Sequence, residues 1–171
     1  MIDPSPQSKG LPEGITVRHD VRPGDLGSLV RRHGVLYARE YGYDHTFEPY
    51  VAGPMAEFIL SRSDRGRIWI VEREGKIAGC LAVVEASTEA AQLRWFLLSP
   101  EIRGMGIGRY LLEDALSFCR AAGYVRAFLL TVDVHTEAAA LYRSVGFVLT
   151  EEHPAVLWGA ERIEQRYEMG L

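Results

Sequence analysis

Ile15 to Val21 alternates apolar and polar residues, the period of a half-buried strand, and Arg22-Pro23-Gly24 ends it. Asp25 then offers an N-cap, and Leu26, Leu29, Val30, Val35, Leu36 and Tyr37 keep roughly helical spacing as far as Tyr41-Gly42, with Gly34 weakening the middle. A second helix is predicted to start near Thr46, with Pro49 in its first turn and Gly53-Pro54 as a place to kink; Tyr50, Val51, Met55, Phe58, Ile59 and Leu60 form its apolar side. Arg67–Arg73 and Lys76–Glu85 flank Glu74-Gly75, a two-residue hairpin signal, and Ala91–Leu98 adds a strand that stops at Ser99-Pro100. Next comes a helix with Ile107, Leu111, Ala115, Phe118, Cys119 and Ala122 on one face and Arg109, Glu113, Asp114, Ser117 and Arg120 on the other, closed by Gly123. Val125–Val132 is apolar enough for a strand buried on both faces, so strand, helix and strand make a parallel unit. His135–Ser144 reads as the last helix. Phe147–Glu151 and Arg166–Met169 read as closing strands with loop between them. The fold class predicted is α/β: a mixed, twisted sheet of about seven strands, antiparallel at first, with helices on both faces and a central parallel pair.

The length of 171 residues suits one domain, with residues 1–13 as a loose tail and 14–171 as the folded unit. A net charge of -4 argues against a nucleic-acid or anionic-membrane surface, because such partners need clustered Lys and Arg. The tail has no apolar core of a signal peptide, and no run approaches the ~20 apolar residues of a membrane span, so a cytoplasmic protein is the expectation. Cys80 and Cys119 sit in apolar surroundings and read as buried thiols; no Cys/His spacing suggests a metal.

The chemistry is expected between the Ala91–Leu98 strand and the following helix. In Arg103-Gly104-Met105-Gly106-Ile107-Gly108-Arg109, unpaired main-chain N–H groups face out of a helix N-terminus, glycines let an anion approach, and Arg103 and Arg109 add countercharge. A pyrophosphate suits such a nest. The P-loop pattern is rejected because no Lys-Ser or Lys-Thr follows a glycine, and the dinucleotide fingerprint because the glycines run G-x-G-x-G well inside the chain. A tight turn needs fewer glycines and no arginines.

Arg103–Gly108 resembles the Q/R-x-x-G-x-G/A signature of the GNAT superfamily of acyl-CoA acyltransferases, and Leu141-Tyr142-Arg143-Ser144-Val145-Gly146-Phe147 resembles its L-Y-x-x-x-G-F helix. The segment His33–Asp44 is similar to the acetyltransferase half of bacterial MarR-type regulator fusions. The resemblance implies acetyl-CoA as co-substrate, a splayed strand pair that admits it, and acetyl transfer to a primary amine of a small molecule or peptide by direct attack, without a metal. By that resemblance Phe96, Leu97 and Leu98 line the pantetheine, the Leu98 N–H polarises the thioester carbonyl, Tyr142 protonates the departing thiolate, and His135 stands where many members carry a cofactor-contacting Asn. Dimerisation through late strands is frequent in the family, so a homodimer is an expectation. Tyr37, Glu40, Tyr43, Phe47 and Trp95 are expected at the acceptor pocket. Gln92–Leu97 lacks the strand carboxylate that many members use as general base, so Glu40, Tyr43, His45 and Glu48 stand as alternatives. That gap keeps open a non-catalytic acyl-CoA sensor, and the loop alone keeps open an unrelated nucleotide-phosphate enzyme.

Overall fold

The structure is a computed structural model that describes residues 10–61 and 63–171; residues 1–9 of the expected tail lie outside the described residues. In chain order the elements are β1 (Ile15–Arg18), α1 (Asp25–Tyr41), α2 (Phe47–Ser61), β2 (Arg67–Arg73), β3 (Lys76–Glu85), β4 (Ala90–Leu98), a short 3-10 turn (Pro100–Ile102), α3 (Ile107–Ala121), β5 (Arg126–Val132), α4 (Thr136–Ser144), β6 (Val148–Leu157) and β7 (Ala160–Gly170). They build one seven-stranded sheet in the order β1-β2-β3-β4-β5-β7-β6, in which only β4 and β5 run parallel. One face carries Leu29 of α1 and Phe47, Val51 and Met55 of α2 against Ile68, Ile70, Cys80 and Ala82. The other carries Ile107, Leu111, Leu112 and Ala115 of α3 and Tyr142 of α4 against Trp69, Leu81, Leu93 and Leu129. The mixed sheet with helices on both faces is therefore as the pattern predicts.

Differences lie at particular residues. β1 stops at Arg18 rather than Val21, because Arg18 turns to Asp25 at 2.8 Å and Glu72 at 2.8 Å. Gly24, at φ 93°, takes the N-cap position expected of Asp25; the Asp25 carboxylate instead accepts the Arg22 N–H at 2.7 Å. Gly34 leaves α1 continuous and makes room for the Glu48 side chain, and α2 runs on through Pro54. The stretch expected as loop between Glu151 and Arg166 is a long hairpin joined at Trp158-Gly159, whose φ values of 51° and 90° are both positive, as a two-residue turn of this twist requires. Pro154 is tolerated there because β6 is the edge strand.

The feature that opens the sheet is in β4. Cys80 pairs with Leu97 and Ala82 with Arg94, so Trp95 and Phe96 together oppose the single residue Leu81. This is a β-bulge, and Trp95 holds φ 53° within it. Side-chain parity flips at the bulge: Ala91 and Leu93 face α3, whereas Trp95 and Leu97 face α1 and α2. The β4–β5 ladder starts at Ala90–Arg126 and reaches only Leu93–Leu129, so the parallel pair separates beyond the bulge.

Candidate active site

The Arg103 N–H bonds back to Pro100 O at 3.3 Å and the Tyr110 N–H begins the helical ladder on Gly106 O at 3.1 Å. Between them the amides of residues 104–109 have no main-chain acceptor among the described residues, and no side chain caps α3. Gly104 and Gly106 hold φ 72° and 79° with open space where a Cβ would stand, which is the backbone form of an anion nest. Gly108 serves differently: a Cβ there would come within 2.9 Å of Leu141 Cδ2 and 3.3 Å of Leu98 Cδ1, so its absence lets α3 close against β4 and α4.

The nest opens into a cleft of ≈ 390 Å³. Phe96, Leu97, Leu98, Arg103, Gly104, Gly106, Gly108, Arg109, His135 and Tyr142 all line it. Met105 and Ile107 do not: the Met105 side chain is 39% exposed and Ile107 is 1% exposed in the core, so only their amides belong to the nest. Leu98 is aimed at the cleft by its register. The Ser99 N–H donates to Ala78 O at 2.8 Å, which makes that pair the hydrogen-bonded one, so the adjoining Leu98–Gly79 pair turns its polar groups outward. Arg103 Nε donates to the outward Leu98 carbonyl at 2.9 Å, and the Leu98 N–H faces the gap. The same guanidinium grips Glu40 through two bonds of 2.8 and 3.0 Å. Glu40 thus sits on the nest side of the molecule, away from the acceptor position expected of it, and Arg103 is already paired. Arg109 donates to Ser144 Oγ at 2.9 Å.

A second cavity of ≈ 100 Å³ lies on the α1/α2 face, where the bulge holds β4 off β5. Tyr37, Phe96, His135 and Tyr142 line both spaces and mark their junction. Phe47 and Trp158 pack with ring centroids 4.9 Å apart, and Tyr50 and Trp158 at 5.1 Å, at the mouth. Trp95 lines this cavity, whereas Tyr43 stands behind it, its hydroxyl 2.8 Å from His135 Nε2. The other His135 nitrogen meets Thr131 Oγ1 at 3.1 Å, so both ring nitrogens are engaged by protein. Burial, helped by Arg162, pushes His135 down to about 4 and keeps it neutral. His45 and Glu48 are exposed and line neither space.

Sequence reasoning missed His33, Tyr50, Arg94, Trp158 and Glu164 on the inner cavity, and Tyr41, Glu137 and Leu141 on the cleft. His33 was findable: Leu29, His33 and Tyr37 repeat every fourth residue on one helical face. Glu164 is the one carboxylate on the inner cavity among the described residues, with His153 Nε2 3.1 Å from its Oε1.

At the junction Tyr142 is buried beside Phe96, Phe147 and Tyr167, and burial raises its phenol above the ordinary value, so it stays protonated at neutral pH. Tyr37 donates to Phe96 O at 3.2 Å, but the Tyr142 hydroxyl has no hydrogen-bond partner among the described residues. The arrangement offers a phosphate nest, an outward strand amide and a free phenol in line.

The sequence model of the acetyltransferase (GNAT) family matches residues 33–147. This chain belongs to that family. Among relatives of this GNAT protein, an uncharacterized N-acetyltransferase of Schizosaccharomyces pombe is 29% identical over 83% of this chain and 88% of its own. N-acetyltransferase 8 of Rattus norvegicus is 38% identical over 53% of this chain but only 43% of its own length, so the match spans less than half of that relative. Among solved structures, a GNAT acetyltransferase of Staphylococcus aureus superposes with a TM-score of 0.75 at 16% identity, covering 92% of this chain and 99% of that one. One from Elizabethkingia anophelis with acetyl-CoA bound gives 0.63 at 18% identity, covering 94% and 100%. No helix among the described residues is long and apolar enough to cross a membrane.

Proposed function

We propose that this GNAT protein transfers an acetyl group from acetyl-CoA to the primary amine of a small molecule. The observation that carries the reading is the run of acceptor-free amides at 104–109, opening into a cleft that meets a second, aromatic cavity at Tyr142. The residues fit coenzyme A: amides 104–109 and Arg109 for the pyrophosphate, and the cleft walls Phe96, Leu97 and Leu98 for the pantetheine. Acetyl-CoA supplies the activated acyl group. The Leu98 N–H polarises the acyl carbonyl, since a fixed donor aimed where charge develops on oxygen stabilises it. Tyr142, protonated and unpartnered, gives its proton to the departing thiolate. Glu164 takes the place of the carboxylate missing from β4 and draws the proton from the incoming ammonium, directly or through water. His135, neutral and held by Tyr43 and Thr131, shapes the junction rather than carrying charge.

Calorimetry with coenzyme A, ATP and NAD tests the first half. Coenzyme A is expected to bind at least tenfold more tightly than either rival, and a preference for ATP or NAD ends the reading. Thiol release from acetyl-CoA against a panel of primary amines tests the second half. Tight coenzyme A binding with no transfer to any amine would favour the sensor reading, which the carboxylate-free β4 supports.

A further inference from the structure

Arg94 lines the inner cavity with its charge unmatched. Leu93 faces α3 and Trp95 faces α1 and α2, so the bulge sets the neighbours Arg94 and Trp95 on one side of the sheet. The guanidinium carbon stands 5.0 Å from the Trp95 ring centroid and 5.9 Å from that of Tyr50, two walls of the cavity, which fixes the charged end there. Ring faces supply no oxygen, and the guanidinium makes no hydrogen bond or ion pair among the described residues. The arginines of the neighbouring cleft differ: Arg103 holds Glu40 and Arg109 holds Ser144. Gln92, two positions earlier on the same strand face, also lines the cavity without a partner among the described residues. Both side chains are only partly buried, and none of their nitrogens is shut off from solvent, so a ligand can reach them. Glu164 supplies the opposite charge to the same cavity, yet its partner is His153 at 3.1 Å and not Arg94. Two unlike charges that share a space without bridging it leave room for a molecule that carries both.

We infer that the acceptor is an amino acid, a small molecule with a carboxylate at the far end from its primary amine, and that Arg94 with Gln92 binds that carboxylate. This rests on the acetyltransferase reading and names its substrate class. A planar guanidinium presents five N–H donors in a fork that matches the two oxygens of a carboxylate, and the Gln92 amide can add a further N–H. The aromatic walls keep part of the surrounding water away, which strengthens the pairing over that of a fully solvated arginine. The cavity runs along β4 from Phe96 and Tyr142, where it meets the cleft, to Gln92. The amine belongs at the Phe96 end, beside the thioester, and the carboxylate at the Arg94 end. Two strand residues separate these positions, about 7 Å at ~3.3 Å per residue, so a linear acceptor of about four or five carbons spans them. A diamine would set a second positive charge against Arg94, and an uncharged end would leave the guanidinium without its counterion.

The probes are glycine, β-alanine, 4-aminobutanoate and 5-aminopentanoate, each against its own primary carboxamide, which keeps the length and removes the charge. The doubly cationic control is 1,4-diaminobutane. Calorimetry on the coenzyme A complex reads the affinities. The two longer carboxylates are expected to bind at least about tenfold more tightly than their carboxamides and than the diamine. Arg94→Gln should bring that preference below threefold, Arg94→Lys should keep part of it, and Arg94→Glu should turn it toward the diamine, an inversion that a merely structural arginine would not give. Each variant is checked for a native melting transition and for coenzyme A binding. Equal affinities of carboxylate and carboxamide at every length, a preference confined to glycine, or one that survives Arg94→Gln would overturn the inference. The wild-type series decides even where a variant fails to fold. Thiol release with the same amines is read separately. Carboxylate selectivity in binding without transfer removes the catalytic reading and leaves the subsite, whereas transfer to amines with no such selectivity removes the subsite and leaves the catalysis.

Discussion

In the proposed reaction Tyr142, at the junction, and Glu164, on the inner cavity, divide the proton traffic, and they differ in how visible they were. Tyr142 stood out because Leu-Tyr, then three residues, then Gly146-Phe147 is a recognisable string; nothing marked Glu164, since its place depends on a hairpin whose strands do not alternate. Tyr142→Phe removes only the hydroxyl from a packed ring. It is expected to lower kcat about 100-fold in a thiol-release assay, within the range of general acid catalysis, while the calorimetric Kd for coenzyme A stays within twofold. Glu164→Gln should lower kcat/KM for amines by at least tenfold at neutral pH and recover part of it at higher pH, where free amine no longer needs a base. An unchanged pH profile would assign the base elsewhere. Arg103 carries a plainer lesson: loop composition pointed to a phosphate ligand, yet its partner Glu40 is 63 residues away in sequence, a pairing no local pattern encodes.

Among the elements, α3 and its approach were the most legible, because one stripe of apolar residues and alternating glycines report directly on a buried face and an open N-terminus. Gly106→Ala tests the element's start. At φ 79° a Cβ is strained, which costs on the order of 1 kcal/mol, yet it meets no atom within 4 Å. A small fall in Tm of the free protein is expected together with at least a tenfold weaker coenzyme A affinity; a variant that binds normally would show the nest is not where the phosphates go. The closing hairpin was illegible for a physical reason. β6 is an edge strand exposed along most of its length, so neither face imposes an apolar alternation, and Pro154 reads as a breaker although a residue lacking an N–H is tolerated on an edge strand. The β4 bulge left a fainter trace: polar Gln92 and Arg94 alternate with apolar Leu93, then Trp95 to Leu98 run apolar without a break, where the parity changes sides.

At the scale of the whole molecule, two histidines tie stability to pH. His33 and His135 are each held neutral by burial at about 4, below the ordinary 6.5. Between those values the unfolded chain binds protons that the folded chain refuses, so stability is full above pH 6.5 and declines as pH falls toward 4. Near pH 5 the pair should contribute a slope of roughly 2 kcal/mol per pH unit, read from urea midpoints at pH 7, 6 and 5. A flat profile would mean that one or both rings take up a proton without unfolding. His33→Leu should flatten part of the slope.

Trp95 also says where the binding space comes from. Nothing was hollowed out of the core; β4 simply carries one residue more than its neighbour can match, and that surplus is kept in a backbone shape that bulky side chains avoid, at about 1–3 kcal/mol. A chain shorter by that single unit could zip its two parallel strands together to the end, giving a sturdier sheet with no vacancy in it and nothing left to recognise.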